Sequence, residues 1–297
     1  MSARIALVTA RAARGHDEDM PPLEAALAAR GARTDVTDWD DPGVEWQRFD
    51  CALLRSAWDY AERRTEFLAW AARVAPLTRL VNPESVVRWN TDKHYLLDLA
   101  RAGAPVVASR FVEPGEDAAD ALAEFLGAEA CPELVVKPAV GAGSRDARRH
   151  ARNARAAAAA HIGALLAAGR SVLLQPYLER VDREGETALI YFEGRFSHAV
   201  RKGPLLPAGT QSTTALFAPE EITARAPTAD ELESGGRVLN ALPFPAPLYA
   251  RIDLIRDGEG RSALLELELT EPSLFFRHAP GSALRLAAAL LARLGAR

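Results

Sequence analysis

One segment, residues 249–273, constrains the fold of this chain more than any other. It reads Y-A-R-I-D-L-I-R, then D-G-E-G, then R-S-A-L-L-E-L-E-L-T-E-P-S. Asp257-Gly258 with Gly260 between two alternating runs predicts a β-hairpin. Side chains alternate faces along a strand, so Ile252, Leu254, Leu265, Leu267 and Leu269 are expected to share a core face. Arg251 and Asp253 then occupy the opposite face of one strand, and Glu266 and Glu268 that of its partner. A one-residue slip would eject the apolar set from the core, so the pairing is tightly specified. Three carboxylates and one arginine therefore share one patch of sheet. Like charges at that spacing repel, and no lysine stands among them in the segment. The pattern predicts Mg2+, a hard cation that takes carboxylate and phosphate oxygens together. A solvated strand face is the plainer alternative for the same residues.

Upstream, the apolar run Arg4–Ala10, a helix at Pro21–Arg30, strands at Arg33–Thr37 and Cys51–Arg55 and a helix at Arg63–Val74 alternate as βαβ, which predicts a small parallel sheet. Ligands gather beyond the carboxyl ends of such strands, here Thr9–Arg11 and Arg55–Tyr60. Further on, the pattern predicts a helix at Thr91–Arg101, strands at Val106–Ser109, Glu133–Lys137 and Ser171–Gln175, and helices at Glu116–Gly127 and Ala154–Ala168. The arginines at 145, 148, 149, 152 and 155 suggest a solvated helix face. Thr187–Phe192 and Arg195–Arg201 form a second hairpin across Glu193-Gly194. Residues 204–227 read as irregular, and helices at Thr228–Leu239 and Ser282–Leu294 flank the organising hairpin. Arg201 and Lys202 fall on opposite faces of their strand, so at most one can enter a site.

The chain of 297 residues carries a net charge of −4, which gives no general attraction to nucleic acid or to an anionic membrane. Cys51 and Cys131 are too few and too far apart for a disulfide framework or a zinc site. The apolar start, Ile5–Val8, is too short for a secretory signal, and no run approaches a membrane span, so a cytoplasmic protein is expected. No G-x-G-x-x-G follows the first strand, which argues against a dinucleotide-dependent oxidoreductase.

Lys137 ends an apolar strand and is followed by Gly141 and Gly143, an arrangement that offers a cation and backbone N–H groups to phosphate oxygens. A mobile surface turn is the alternative. Taken in order, Lys93, V-V-K-P with its glycine loop (Val135–Ser144), Q-P-Y-L (Gln175–Leu178), Gly185-Glu186, H-A-V-R-K (His198–Lys202), A-R-I-D (Ala250–Asp253) and E-L-E-L-T-E-P-S (Glu266–Ser273) resemble the ATP-grasp superfamily. The likeness spans about residues 84–297, and the βαβ region matches the domain that usually precedes that fold.

The resemblance implies a mixed α/β and α+β protein. Residues 1–84 would form an N-terminal βαβ domain, residues 85–174 a central ATP-grasp lobe with a phosphate lid, and residues 175–297 a C-terminal lobe with the metal site. It also implies ATP and Mg2+ as cofactors. Lys93 and Lys137 would hold the phosphates, and the loop with Gly141, Gly143 and Ser144 would close over them. Gln175, Pro176, Tyr177 and Leu178 would frame the adenine by backbone contacts, and Glu186, or else Asp182, would take the ribose. Asp253, Glu266 and Glu268 look like the metal ligands. Arg251 resembles the arginine that steadies developing charge, with Arg201 on the transferred phosphate. The usual pattern ends in Glu-x-Asn, and Glu268 in place of the Asn adds a negative charge.

The implied reaction is carboxylate–amine ligation through an acylphosphate. Arg55, Ser56 and Tyr60 on one side, and Glu271 and Ser273 on the other, are expected to hold a small amino-acid-like carboxylate, with Trp58 and Trp70 serving as packing. The stretches Arg55–Tyr60 and Val86–Lys93 resemble the bacterial glutathione-synthetase-like branch, which includes cyclisation of O-ureido-D-serine to D-cycloserine. A silent nucleotide-binding protein and a ligase acting on a peptide or protein carboxylate are the alternatives. A homo-oligomer is compatible with all of these.

Overall fold

The computed structural model describes residues 2–206 and 221–295. The chain opens with β1 (Arg4–Thr9), α1 (Met20–Ala28), β2 (Arg33–Asp38), β3 (Cys51–Ser56), α2 (Arg64–Val74) and β4 (Arg79–Val81). Their strands form a parallel sheet in the order β2-β1-β3-β4. All six residues of β3 are buried, as expected of a parallel strand covered on both faces. One face carries Trp39, Trp46, Phe67 and Trp70. Ring centroids of Trp39 and Phe67 lie 5.4 Å apart, and those of Phe67 and Trp70 5.3 Å.

A second group follows: α3 (Glu84–Asn90), α4 (Tyr95–Arg101), β5 (Arg110–Val112), α5 (Ala118–Ala128), β6 (Glu133–Pro138), β7 (Arg148–Ala151), α6 (Arg155–Ala167) and β8 (Val172–Pro176). Here the sheet is antiparallel, ordered β5-β8-β6-β7, and α5 and α6 cover it with Phe125, Leu126, Ile162 and Leu165. The third comprises α7 (Val181–Glu184), β9 (Glu186–Phe192), β10 (Arg195–Lys202), β11 (Ile222–Arg225), α8 (Ala229–Asn240), β12 (Tyr249–Arg256), β13 (Ser262–Glu268) and α9 (Ser282–Gly295). Its sheet runs β11-β10-β9-β12-β13. The core joins this sheet to the first: Ala188 and Ile190 of β9 and Leu286 and Leu290 of α9 pack in one cluster with Ile5, Leu7 and Leu27.

Four sequence expectations are corrected. The helix expected over 91–101 begins only at Tyr95, as α4, and a turn at 91–94 separates it from α3, because the Asn90 side chain does not cap. Its amide instead bonds the β13 backbone at Leu267 and Leu269, so Lys93 lies in the intervening turn rather than on a first helical turn. The strand expected at 106–109 is a single bridge from Val106 to Leu264, and the ladder begins at Arg110. The arginine-rich stretch is not a helix face. Residues 148–151 form edge strand β7 against β6, and Arg149 pairs with Glu133. Within 204–227, residues 222–225 form β11 against β10, while 207–220 lie outside the described residues.

The organising hairpin is present, with Ile252 opposite Leu267, but a bulge interrupts it after Asp253. Leu254 pairs with Leu264, so Leu264 fills the core place expected for Leu265. A bulge of this kind puts two residues of one strand against one of the other. Its extra residue, Leu265, joins the apolar group of Val107, Tyr177, Val181 and Ile255.

Candidate active site

A cavity of about 720 Å3 is lined by residues from all three sheets and their loops. Its floor is the polar face of the organising hairpin. Arg251 stands opposite Glu268, and Asp253 opposite Glu266, so the four charges crowd on one side as the alternation requires.

The carboxylates are not left to repel. Lys202 reaches across from β10 and places Nζ 2.8 Å from Asp253 and 3.0 Å from Glu186. Lys93 Nζ lies 3.0 Å from Glu266 and donates to the Gly141 carbonyl at 2.9 Å. Arg251 donates to both oxygens of Asp253 at 2.9 Å and also to Glu268. The expectation that no lysine would neutralise this patch is therefore corrected. The cations arrive from other elements, which the hairpin's own sequence could not reveal.

These neighbours set the ionisation of the group. Burial works against the charged form of Asp253, yet Arg251 and Lys202 hold its carboxyl below the usual range. Glu266 is likewise buried and is held down by Lys93 and Lys137. Burial, with Glu266 and Asp253 nearby and Arg251 opposing, raises Glu268 to about 7. Burial also draws Lys137 down to about 8, against the pull of Glu266. Lys137 faces the cavity and makes no hydrogen bond or ion pair with the described residues.

The donor set suits a hard divalent cation. Glu266 and Glu268 face the cavity, with Asp253 buried beside them against Arg251 and Lys202, and burial makes full ionisation of Glu268 unfavourable without added positive charge. Mg2+ is usually held by one or two carboxylates together with substrate phosphates. Among the described residues no three His, Cys, Asp or Glu side chains are grouped so as to hold a metal ion, so Asp253, Glu266 and Glu268 are not brought together as a three-carboxylate ligand set by the protein alone.

Beside the charged floor lies an apolar slot of Val107, Tyr177, Val181, Ile255 and Leu265. Gln175, Pro176, Tyr177 and Leu178 all line the cavity. Arg149 covers a face of the Tyr177 ring at 3.6 Å, and the Tyr177 hydroxyl donates to Asp182 at 2.5 Å. Asp182 is thus engaged away from the lysines, whereas Glu186 sits among them. Gly185, at φ +69°, cannot be replaced easily, because a Cβ there would stand 2.3 Å from the Lys202 carbonyl. The glycine loop lies along the cavity, with Ser144 in a left-handed conformation at φ 59°. It reaches the N-terminal sheet through Arg145, which pairs with Glu62.

Three expected site residues are placed elsewhere. Arg201 turns away from the cavity and donates to the Glu184 carbonyl at 3.0 Å. Of the Arg201–Lys202 pair, the strand presents only Lys202 to the site. Arg55 and Ser56 lie behind the wall. Ser56 shares a 2.8 Å hydrogen bond with Thr9, and Arg55 is fully buried against Asp17 and Asp19, at 3.7 and 3.6 Å. Tyr60, Glu271 and Ser273 do line the cavity. Burial, reinforced by Glu268, raises the Glu271 carboxyl well above its usual value.

Sequence reasoning missed Asp17, Asp19 and Trp58. Trp58 lines the cavity and donates to the Glu271 carbonyl at 3.1 Å, so it is more than packing, while Trp70 is core as expected. Asp19 accepts the backbone N–H groups of Leu274, Phe275 and Phe276 at 2.5, 3.0 and 2.8 Å. The β1–α1 loop thereby fixes the segment after Ser273. The only sequence signal for these acids was their position just beyond the first strand.

Comparison with known proteins agrees with this arrangement. Residues 5–82 match the model of the N-terminal domain of D-cycloserine synthetase DcsG. The cycloserine biosynthesis protein DcsG of Streptomyces lavendulae is 43% identical over 297 residues, covering 98% of both chains. A crystal structure of D-cycloserine synthetase DcsG superposes with a TM-score of 0.93 at 41% identity, over 98% of this chain and 100% of that one. D-alanine–D-alanine ligase from Bacillus anthracis, complexed with ATP, shares the fold, at a TM-score of 0.68 and 13% identity over 99% and 97% of the chains.

Proposed function

The chain belongs to the DcsG family of ATP-grasp ligases, and from that premise we propose that it closes D-cycloserine from O-ureido-D-serine at the expense of ATP. The observation that carries this is the convergence on one cavity of three lysines (Lys93, Lys137 and Lys202), the carboxylates of Glu266 and Glu268, and an apolar slot. We assign the chain to three parts, residues 1–84, 85–174 and 175–297, with the nucleotide between the second and third and the amino-acid substrate against the first. The β8 strand continues to Pro176, so the second boundary falls inside its last turn of ladder.

A carboxylate is a poor acyl donor because oxide is an impossible leaving group. Attack of its oxygen on the γ-phosphorus releases ADP and makes an acylphosphate. Attack of the substrate's own nitrogen then forms the C–N bond, phosphate departs with the C–O electrons, and the nitrogen loses a proton. Hydrolytic loss of the carbamoyl group completes the conversion to cycloserine.

Lys93 and Lys137 are suited to the phosphates, and the depressed pKa of Lys137 reflects a cation buried ahead of its anionic partner. Asp253, Glu266 and Glu268 would hold Mg2+, whose chemistry is neutralisation of phosphate charge. Arg251, fixed by Asp253, is placed to steady charge during transfer. Tyr60, Asp17, Glu271 and Ser273 form the substrate end, and Arg55 positions Asp17 and Asp19 from behind. Lys202 organises Glu186 and Asp253. Arg201 is left without a place in the mechanism. The glycine loop excludes water from the acylphosphate.

ADP release should be measured with ATP and Mg2+ across small amino-acid carboxylates. Release with O-ureido-D-serine, and with no other member, is expected. Release with a different carboxylate alone would reassign the substrate, and no release with any member would overturn the proposal.

A further inference from the structure

Ser273 and Phe275 wrap around the guanidinium of Arg251. Arg251 donates through Nη1 to the Ser273 carbonyl at 3.4 Å, and its guanidinium carbon lies over the Phe275 ring, 5.5 Å from the centroid. Asp253 and Glu268 hold the same cation by its N–H groups. Such bonds fix where a guanidinium lies but tolerate a broad range of angles. An aromatic ring facing the cation narrows that range and attracts the charge through its negative face. Arg251 is 6% exposed, so the attraction acts where water screens it least.

Phe275 reaches that place at a cost. Its backbone is left-handed, at φ 55° and ψ 42°, a region in which a bulky L-residue is strained. Such a conformation persists only where the surroundings over-determine it. Here three successive N–H groups, those of Leu274, Phe275 and Phe276, converge on the Asp19 carboxylate, forming the kind of concavity that holds an anion. Asp19 is itself buried and backed by Arg55 at 3.6 Å. Plain core packing does not require this arrangement. Leu274 and Phe276 on either side are the residues buried in the core cluster, whereas Phe275 is half-buried and turns to line the cavity.

We infer that Phe275 is a positioning residue for phosphoryl transfer: Asp19 holds its backbone left-handed so that its ring orients Arg251 towards the charge that develops on the transferred group. Arg251 is the side chain that meets this charge, Phe275 acts through Arg251, and the β1–α1 loop acts through Phe275. The N-terminal part of the chain thereby sets the geometry of the transfer step as well as flanking the substrate. The inference rests on the ligase function proposed above.

The test is single-turnover ADP formation by the full-length protein from saturating MgATP and O-ureido-D-serine, with MgATP binding measured in parallel. Phe275→Leu keeps the apolar bulk and the same backbone demand but has no aromatic face. It should slow ADP formation on the order of 10-fold, the size of a desolvated cation–π contact, and leave MgATP affinity within about twofold. Phe275→Tyr keeps the face and should stay within about twofold of wild type in both measurements. Arg251→Lys keeps the charge but not the planar fork, and adding Phe275→Leu to it should slow the reaction by less than about twofold more, because the group to be oriented is gone. A wild-type rate in Phe275→Leu would overturn the inference. So would an equal loss in Phe275→Tyr, which would make the effect one of fit, or a loss of MgATP affinity that matches the loss of rate, which would make Phe275 a binding contact. A full further loss beside Arg251→Lys would also overturn it, since Phe275 would then act independently of Arg251. No ADP formation by wild type would instead overturn the ligase proposal beneath it.

Discussion

Lys137 and Glu266 illustrate how single side chains divide the work of the site. Lys137 is a buried cation with no partner among the described residues, and Glu266 is a carboxylate held ionised by Lys93 and Lys137. Lys137→Ala and Glu266→Ala are each expected to lower turnover by about 100-fold or more, as loss of a charge aimed at the transferring group does elsewhere. Thermal unfolding should show both variants folded, and normal ADP release by either would remove that residue from the machinery. Arg55 carries a different kind of charge, structural rather than chemical. Arg55→Met would strand Asp17 and Asp19 without their cation, a loss of about 3–5 kcal/mol for a broken buried pair. Urea denaturation reads this directly, and a variant as stable as wild type would show that Arg55 does not anchor the acids.

At the scale of elements, β10 serves two masters. Lys202 on one face neutralises Asp253 and Glu186, and His198, on the same strand, bonds the Leu274 carbonyl through Nε2 at 2.7 Å. Burial pulls the His198 pKa down to about 4 from its ordinary 6.5. A base whose folded pKa is depressed binds its proton more readily when unfolded. Its contribution is thus intact above pH 6.5 and is lost as pH falls from there towards 4. Unfolding free energy at pH 5 should drop by about 2 kcal/mol on this account. His198→Gln should flatten that part of the pH profile, and an unchanged slope would assign the acid sensitivity to other groups. The bulge in the β12–β13 hairpin is the other decision made at this scale. By inserting Leu265, it carries the apolar slot alongside the carboxylates without disturbing the Asp253–Glu266 pair.

The molecule as a whole is tied together by polar bonds between parts distant in sequence. The Asn82 side chain donates to the carbonyls of Tyr249 and Leu269 at 3.1 and 2.7 Å, and accepts the Leu248 N–H at 2.8 Å. It thus links the end of the first sheet to both sides of the β12–β13 hairpin. Asn82→Ala would leave three buried backbone groups unpaired, at about 1–3 kcal/mol each before relaxation. Chemical denaturation should show a loss of several kcal/mol, and a shift below 1 kcal/mol would mean that the two parts are held by apolar packing alone. Asn90 makes the equivalent tie from α3 to the end of β13, so the N-terminal sheet, the turn that carries Lys93 and the charged face of the hairpin are positioned as one unit.

By itself, the amino-acid sequence determined the hairpin, the shared face of Arg251, Asp253, Glu266 and Glu268, the parallel N-terminal sheet and the order of motifs that places the chain among ATP-grasp ligases. These are legible because alternation, turn chemistry and local apolar runs act over a few residues. Only the tertiary structure decided which cations meet those carboxylates, that Lys202 rather than Arg201 enters the cavity, and that Arg55 stands behind Asp17 and Asp19. The two-helix break at 91–94 also belongs there, since Asn90 caps nothing locally and bonds a strand some 180 residues away. So does the bulge that moves Leu265 from core to slot. Each of these depends on which strands become neighbours and on where a buried charge finds its partner. Those energies are exchanged between segments far apart in the chain, and no local pattern records them.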